Sequence, residues 1–325
     1  MSVPRLVVTC GDVQGIGLRC FAQAILDGPL HATIRMFIAP TVLRACMDAY
    51  RLPGTFEDLQ WIIGDHRITI EPLDHHVDLS PGVSSDAASR HAISSLERAL
   101  EDVCQGRADA VVTLPINKHA LQCVGWPYPG QTEMVAAYAD GDPLMVLCTR
   151  EIHVALATVH IPLRIVASSI DQNRIQQRIL QLHNHLHSRI GITNPRIAVL
   201  GLNPHAGEQG TIGTEDRDII RPVVESLRTQ GIAVDGPLAS DGFFGFGAYT
   251  SYDGVLAMYH DQGLIPLKLL AKGAGVNVTA GLSIIRTSPD HGTAYDRVLS
   301  VSIDAASTRM ALEMAATMSQ RRQVS

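Results

Sequence analysis

Short apolar runs alternate with longer amphipathic segments along the 325-residue chain, and this alternation constrains the fold more than any other feature. The runs are rich in Val, Ile and Ala, and they predict strands at Leu6–Thr9, Ile34–Ala39, Ala110–Leu114, Val154–Val159, Ile197–Leu200 and Gly254–Met258. Apolar residues every three or four positions predict helices at Ala87–Val103, Asn173–Arg189 and Asp216–Gln230. Strands that alternate with helices build a mainly parallel sheet, so the sequence predicts an α/β fold.

The domain organisation is constrained by length and by the absence of a linker. The chain is longer than an average domain, so two domains or one large α/β unit both fit. No repeat, low-complexity stretch or linker interrupts it. If there are two domains, we expect them to share a continuous sheet or to exchange segments, with the C-terminal part returning to the N-terminal domain.

Composition excludes several classes of protein. The net charge of −6 argues against sequence-independent nucleic-acid binding, which needs a basic surface. No apolar stretch approaches the roughly 20 residues that cross a bilayer, and the first residues lack the features of a signal peptide. We therefore expect a cytoplasmic protein with no nucleic-acid or membrane partner. The six cysteines form no Cys-x-x-Cys pair, and we expect them to be reduced and buried.

A glycine-containing turn, Thr9–Gly17, lies between the first predicted strand and a helix. Glycines permit a tight turn there, and the N–H groups at a helix start favour an anion. The spacing matches neither the dinucleotide-binding fingerprint nor a phosphate-binding P-loop. Anion binding and a purely structural turn are both compatible with it.

Three histidines, His160, His205 and His260, each follow the C-terminal end of a predicted strand. Ligands of open α/β sheets bind outside those strand ends, so the three imidazoles can converge. Three nitrogen ligands with an open position are what a catalytic divalent ion requires. The alternating histidines His183, His185 and His187 point to different faces of a helix, and we expect them to be solvated.

Other motifs are compatible with more than one reading. The polar loop Asn203–Glu208 suits cofactor binding or a capped connection. Lys268 and Arg286 are cations among apolar residues, which suits recognition of carboxylate or phosphate, with a surface ion pair as the alternative. In Asp290–Ala294, a Gly-Thr turn suits a helix cap.

Together these motifs resemble the 4-hydroxythreonine-4-phosphate dehydrogenase family of pyridoxal phosphate biosynthesis. The most specific stretches are Leu202–Glu208, Leu256–Gly263 and Arg286–Ala294. The resemblance implies a two-domain fold similar to isocitrate and isopropylmalate dehydrogenases, with residues 1–130 plus 285–325 as the first domain and 131–284 as the second. It also implies a homodimer whose active site lies at the subunit interface, with metal histidines contributed by both chains.

The resemblance further implies roles for individual residues. The metal ligands correspond to His160, His205 and His260, with zinc expected and magnesium, cobalt or manganese as alternatives. The substrate contacts correspond to Gln131, Thr132, Lys268, Asn277 and Arg286. Asp241 lies near the metal, and Lys268 and Asp241 are the candidates for proton handling. Asp290, His291, Gly292 and Thr293 correspond to the cofactor site, which takes NAD, with NADP as the alternative.

The implied reaction is the NAD-linked oxidation of 4-phosphooxy-threonine, a small phosphorylated hydroxy acid. Its product is a 3-keto acid that decarboxylates to 3-amino-2-oxopropyl phosphate. The metal would lower the pKa of the reacting hydroxyl as hydride passes to the nicotinamide.

Two departures from the family pattern keep alternatives open. Gln131 stands where the family has a histidine at the substrate phosphate, and a neutral amide cannot become cationic. A related dehydrogenase of another diol acid, such as a four-carbon sugar-acid phosphate or a dihydrodiol dicarboxylate, is therefore an alternative. The stretch Arg297–Ile303 replaces a Gly-rich basic turn expected near the adenine end of the cofactor. A metal-containing homologue without catalysis is the second alternative.

Overall fold

The computed structural model describes residues 2–322, and the chain divides into two compact units. Unit 1 contains the described residues up to Gly141 together with those from Leu282 onward, and unit 2 is Asp142–Gly281. The strands are β1 (Arg5–Thr9), β2 (Thr33–Ile38), β3 (Thr55–Glu57), β4 (Gln60–Ile63), β5 (His66–Pro72), β6 (Ala110–Val112), β7 (Gly141–Cys148), β8 (His153–Leu156), β9 (Ile197–Leu200), β10 (Val234–Leu238), β11 (Gly254–Ala257), β12 (Val276–Leu282) and β13 (Arg286–Pro289).

The helices lie between these strands along the chain. They are α1 (Gly17–Leu26), α2 (Pro40–Tyr50), α3 (Asp86–Cys104), α4 (Lys118–Cys123), α5 (Gln131–Tyr138), α6 (Val166–Ser169), α7 (Gln172–Asn184), α8 (Arg221–Thr229), α9 (Ser240–Gly245), α10 (His260–Ala271) and α11 (Ala306–Arg322). No helix within residues 2–322 combines the length and the apolar character that a membrane span requires.

In unit 1 the strand order is β13-β6-β1-β2-β5-β4-β3. The strands from β13 to β5 pair in parallel, and β4 and β3 add antiparallel strands at the edge. Helix α3 packs beside β1 and β2, and the Ser85 hydroxyl caps its start by accepting a hydrogen bond from the N–H of Ala88 at 3.2 Å. Its predicted apolar stripe is buried, as expected of an amphipathic helix: Ala88, Ala92, Leu96, Ala99, Leu100 and Val103.

In unit 2 the order is β10-β9-β11-β8-β7-β12, with parallel pairing from β10 to β8 and antiparallel pairing of β7 with β8. Its core packs strand residues such as Val154, Leu200 and Val255 against Leu264 and Leu267 of α10. Parallel strands that alternate with helices confirm the predicted α/β class. All six predicted strands are present, although β6 and β8 end earlier than predicted.

Two predicted helices contain π-helical turns that the apolar spacing did not reveal. Helix α7 continues as a π-helix over His185–Ile190, and a π-helix over Asp216–Ile220 precedes α8. The prediction that His185 is solvated is wrong, because its side chain is only 4% exposed. His185 lies on the buried stripe of the helix, three residues after Leu182 and next to Leu186.

The cysteine prediction holds for four of the six residues and is wrong for the other two. Cys10, Cys20, Cys46 and Cys148 are buried free thiols. Cys104 and Cys123 are exposed, because each is the last residue of a helix, where the chain reaches the surface.

Candidate active site

The parallel pairing of β8 with β11 brings two of the predicted metal histidines together. The pairing register aligns Leu156 with Ala257, so both strands end at the same edge. Beyond that edge, the Thr158 N–H and hydroxyl both donate to the carbonyl of Met258, at 3.2 and 2.7 Å. The two segments of the chain are thus held side by side as far as His160 and His260, whose ring centroids are 5.6 Å apart.

Gln262 ties together the ends of three elements in unit 2. Its side-chain oxygen accepts a hydrogen bond from the N–H of Met258 at 2.6 Å. Its amide nitrogen donates to the carbonyl of Gly201 at 2.6 Å and to the hydroxyl of Ser240 at 2.8 Å. One partly buried amide therefore fixes the chain after β9, the chain after β11 and the start of α9. We did not predict this positioning role, although Gln262 lies within the motif that carries His260.

Helix α10 carries His260 at its first position and approaches the sheet closely. A Cβ on Gly263 would lie 2.7 Å from Val154 Cγ1 and 2.8 Å from Ala257 Cβ, so only glycine permits this approach. His260 Nδ1 is 2.7 Å from a carboxylate oxygen of Asp261. A carboxylate on one ring nitrogen orients an imidazole and leaves Nε2 as the ligand atom.

His205 lies in a loop of unusual backbone conformation after β9. Six consecutive residues, 205–210, have positive φ, and four of them are not glycine. The entrance to the loop is held by the fully buried carboxylate of Asp216, which accepts hydrogen bonds from the N–H groups of Leu202 at 2.7 Å and Asn203 at 3.0 Å. It also accepts one from the Asn203 side-chain amide at 2.8 Å. Buried charge-assisted hydrogen bonds of this kind are strong enough to hold a strained loop.

The three predicted metal ligands are therefore placed differently. His160 and His260 are neighbours, whereas His205 is exposed on its own loop. Within residues 2–322, His205 does not join the other two in a set whose donor atoms all lie within 4.8 Å. The metal triad of His160, His205 and His260 therefore stays a prediction.

The predicted proton-handling residues of unit 2 are exposed. Lys268 lies on α10, eight residues after His260 and therefore close to the same helix face. Asp241 is in the first turn of α9, directly after the Ser240 that binds Gln262.

The predicted substrate contact Asn277 is on β12, and its side-chain oxygen is buried without a hydrogen-bond partner.

Unit 1 carries a buried guanidinium, Arg286, at the start of β13. It is 2% exposed, so the surface ion pair considered for it is excluded. Its Nε and Nη2 donate to the Thr113 hydroxyl at 3.0 and 2.8 Å, and Nη2 also donates to the side-chain oxygen of Gln131 at 2.6 Å. The amide nitrogen of Gln131 donates in turn to the carbonyl of Leu114 at 3.1 Å.

Burial lowers the pKa of Arg286 to about 10, against the opposing effect of the Glu133 carboxylate. The group is thus still cationic at neutral pH, and a buried cation attracts an anion strongly. Thr132, the next residue on α5, is partly buried. The site therefore pairs a buried cation with neutral hydrogen-bonding groups.

The predicted cofactor stretch packs on the glycine-containing turn of the same unit. The N–H of Ile16 donates to the carbonyl of Thr293 at 2.9 Å, and a Cβ on Gly15 would lie 2.6 Å from that oxygen. The N–H of Asp290 donates to the Ser307 hydroxyl at 2.8 Å, and His291 Nε2 is 3.4 Å from the Thr308 hydroxyl.

The turn itself satisfies its own backbone donors. The N–H groups of Asp12, Gln14, Gly15 and Ile16 all bond to protein oxygens. Burial raises the pKa of Asp12, whose carboxylate accepts a hydrogen bond from the Tyr295 hydroxyl. Of the two readings of this turn, the structure supports the structural one, because none of these four donors is left for an anion.

Comparison with known proteins places this architecture in a family. The family model described as Pyridoxal phosphate biosynthetic protein PdxA matches residues 32–315. A 4-hydroxythreonine-4-phosphate dehydrogenase of Bacteroides thetaiotaomicron is 40% identical over 299 residues, which are 90% of this chain and 82% of that protein. The crystal structure of the enzyme of that name from Klebsiella pneumoniae is similar with a TM-score of 0.85 at 36% identity, covering 98% of each chain. A terephthalate 1,2-cis-dihydrodioldehydrogenase from Burkholderia xenovorans is 26% identical, with a TM-score of 0.66 over 97% of this chain and 98% of its own.

The fold and these relatives define an α/β dehydrogenase, which is an oxidoreductase. More specifically, the chain belongs to the 4-hydroxythreonine-4-phosphate dehydrogenase family of pyridoxal phosphate biosynthesis. The resemblance inferred from the sequence motifs is thereby confirmed.

Proposed function

We propose that the protein oxidises 4-phosphooxy-threonine with NAD in a metal-dependent reaction, and that the 3-keto acid formed loses carbon dioxide to give 3-amino-2-oxopropyl phosphate. The observation that supports this most is the pair of strand-end histidines, His160 and His260, with ring centroids 5.6 Å apart. Family membership supports the substrate, since relatives carry that activity in their names.

The donor set of unit 2 fits a divalent ion. His160 and His260 would hold it with His205, and the Asp261 carboxylate at His260 Nδ1 is the support that metal-bound imidazoles have. Imidazole nitrogens favour zinc, with cobalt, manganese or magnesium as alternatives. When bound, such an ion lowers the pKa of a coordinated hydroxyl.

The residues of the chain then have distinct roles. Arg286 supplies a fixed cation for an anionic group of the substrate, with Gln131 and Thr132 as neutral hydrogen-bonding neighbours. The unpartnered oxygen of Asn277 is an acceptor for a substrate hydroxyl or ammonium group. Lys268 and Asp241 would move the proton released by the hydroxyl.

For the cofactor we propose Asp290–Thr293, with NAD favoured over NADP by the family's activity. Ser307 and Thr308 fix this stretch from α11, and the space around Gly292 is open, since a Cβ there would meet no atom within 4 Å. A fixed loop with an open glycine suits close approach of a dinucleotide. The protein supplies position and electrostatics, while the nicotinamide accepts the hydride.

We further propose a cytoplasmic homodimer with a shared active site. Exposed apolar side chains of unit 2, including Phe246 at 93% and Leu269 at 73%, are candidates for burial in the interface. The exposure of His205 on its loop suits donation to a partner subunit.

A second candidate is a dehydrogenase of another diol acid. Gln131 in place of a family histidine favours it, as does the similarity to a dihydrodiol dehydrogenase. Four-carbon sugar-acid phosphates and dihydrodiol dicarboxylates are the substrate classes concerned.

The decisive test measures NAD reduction with 4-phosphooxy-threonine, erythronate 4-phosphate and a dihydrodiol dicarboxylate, each with and without a chelator. We expect the first substrate to have the highest kcat/KM and chelation to abolish turnover. A preference for one of the others would reassign the substrate, and full activity after thorough chelation would refute the metal-dependent reaction. A protein that binds metal but shows no thermal shift with NAD would be the non-catalytic homologue.

A further inference from the structure

Unit 2 contains a second cluster of metal-ligating side chains, separate from the strand-end histidines. Cys148, His153 and His185 each offer a donor atom, and these atoms all lie within 4.8 Å of one another. Cys148 ends β7 and His153 begins β8, where the antiparallel register places them directly opposite each other. His185 reaches them from the first position of the π-helix, and its ring centroid is 6.0 Å from that of His153.

The polar atoms of this cluster are buried and unsatisfied. The Nε2 atoms of His153 and His185 are both inaccessible to solvent and have no hydrogen-bond partner. A buried polar atom without a hydrogen bond is unfavourable unless something binds it. Two such atoms on neighbouring rings, beside a fully buried thiol, favour a ligand that they share.

The hydrogen bonding of His153 suits a cation. His153 Nδ1 is 3.2 Å from the carbonyl of Asp253, so Nδ1 carries the proton and Nε2 keeps its lone pair. A backbone carbonyl on the far nitrogen is also the usual support of a metal-bound imidazole.

We propose that Cys148, His153 and His185 form a zinc site that stabilises unit 2, distinct from the metal site of the active centre. One sulfur and two imidazole nitrogens favour zinc over magnesium or manganese, which prefer oxygen ligands. Donor atoms around a tetrahedral zinc ion are about 3.5 Å apart. The donor atoms, which lie within 4.8 Å of one another, would therefore have to move only slightly closer together to bind the ion. Burial raises the pKa of the Cys148 thiol, so zinc binding must release its proton to solvent as the thiolate forms.

The site would link the adjacent strands β7 and β8 to the π-helix that follows α7. π-helical turns occur frequently at functional sites, and His185 is the first residue of this one. A ligand that binds only the folded chain raises its stability. The ion is therefore expected to raise the unfolding temperature of the protein.

The test uses cobalt as a probe on the metal-free, reduced full-length protein. Thiolate-bound Co²⁺ gives a near-ultraviolet charge-transfer band, which a site made only of histidines cannot give. We expect this band in the wild type and its loss in Cys148→Ser, with one Co²⁺ fewer bound per chain. His160→Ala should keep the band, which separates this site from the proposed active-site metal.

The matched control is Cys123→Ser. Cys123 is exposed, and its Sγ is 3.8 Å from His119 Nε2. This thiol and imidazole are therefore an exposed alternative site for Co²⁺. The proposal requires that this variant keep the band. Absence of the band in the wild type would overturn the proposal whatever the folding of the variants, and so would a band that survives Cys148→Ser but not Cys123→Ser.

Discussion

The side-chain oxygen of Gln131 accepts a hydrogen bond from the guanidinium of Arg286. The residue at position 131 therefore affects the electrostatics of a buried cation. The sequence identified both residues but not their contact, because they are 155 positions apart. The pairing of β6 with β13 aligns Arg286 with Val111, and Gln131 is tied to the chain just after β6 by its bond to the carbonyl of Leu114.

Replacing Gln131 with Glu should raise the KM for a phosphorylated substrate by about tenfold or more, because a carboxylate would neutralise the cation. Gln131→His should instead lower the KM, since a histidine can add positive charge. Steady-state kinetics with kcat as the internal control distinguish the two effects. Unchanged KM values in both variants would show that residue 131 does not contact the substrate anion.

Because His91 is buried, we expect the stability of the protein to depend on pH, independently of the active site. Its Nε2 accepts a hydrogen bond from the N–H of Ala39 at 3.0 Å, and its Nδ1 is 3.4 Å from the Cys10 sulfur. Burial, with a smaller contribution from His75, lowers the pKa of His91 from 6.5 to about 4. The unfolded chain therefore binds the proton more readily, and stability present above pH 6.5 is lost as the pH falls towards 4.

Between pH 6.5 and pH 4, protonation of His91 is expected to lower the free energy of unfolding by about 3 kcal/mol. His91→Gln keeps an acceptor for the Ala39 N–H but cannot titrate, so its unfolding free energy should vary less with pH. Urea denaturation of both proteins from pH 4 to pH 7 measures the difference. Parallel pH profiles would contradict the assignment.

At the scale of elements, the strained loop that carries His205 depends on one buried carboxylate. Asp216→Asn puts an N–H donor where Leu202 and Asn203 already donate, so the loop should lose its fixed geometry. Supporting residues of metal ligands typically change activity by about 10–100-fold, and we expect a kcat/KM loss of that size. Asp218→Asn is the control, since Asp218 is half-exposed and its carboxylate pairs with the neighbouring Arg217. Equal activities of the two variants would exclude this role for Asp216.

The elements themselves were largely predictable, and the reasons are physical. Apolar runs of strand length and a stripe such as Ala88–Val103 follow from burial, which acts locally on the sequence. The π-helical turns at His185 and Asp216 were not predictable, because one extra residue per turn barely alters apolar spacing. Likewise four of the positive φ values in this loop fall on residues that are not glycine, namely His205, Ala206, Glu208 and Gln209, so composition does not mark them.

At the scale of the whole molecule, the question is whether His205 joins His160 and His260 in a metal triad. Position after a strand end predicted that His160, His205 and His260 converge, and within residues 2–322 the structure brings only His160 and His260 together. The rule fails for His205 because the loop after β9 directs this residue by its backbone conformation, which strand order does not contain.

If subunits share the site, inactive His160→Ala and His205→Ala proteins should complement each other. Half of the randomly mixed dimers would hold one intact site of two, so about a quarter of wild-type activity should return. Mixing His160→Ala with His260→Ala should restore nothing, since those residues act as a pair from one chain. Subunits are mixed by mild denaturation and refolding, and NAD reduction is followed. No recovery in the first mixture, with dimers present, would refute sharing.

The side-by-side ends of β8 and β11 have a consequence for biosynthesis. The hydrogen bond from Thr158 to Met258 joins residues 100 positions apart, so the histidine pair forms only when β8 and β11 have paired. A growing chain cannot present this pair until β11 has left the ribosome. Under the proposed function, the ion would therefore be loaded only after most of unit 2 has been translated.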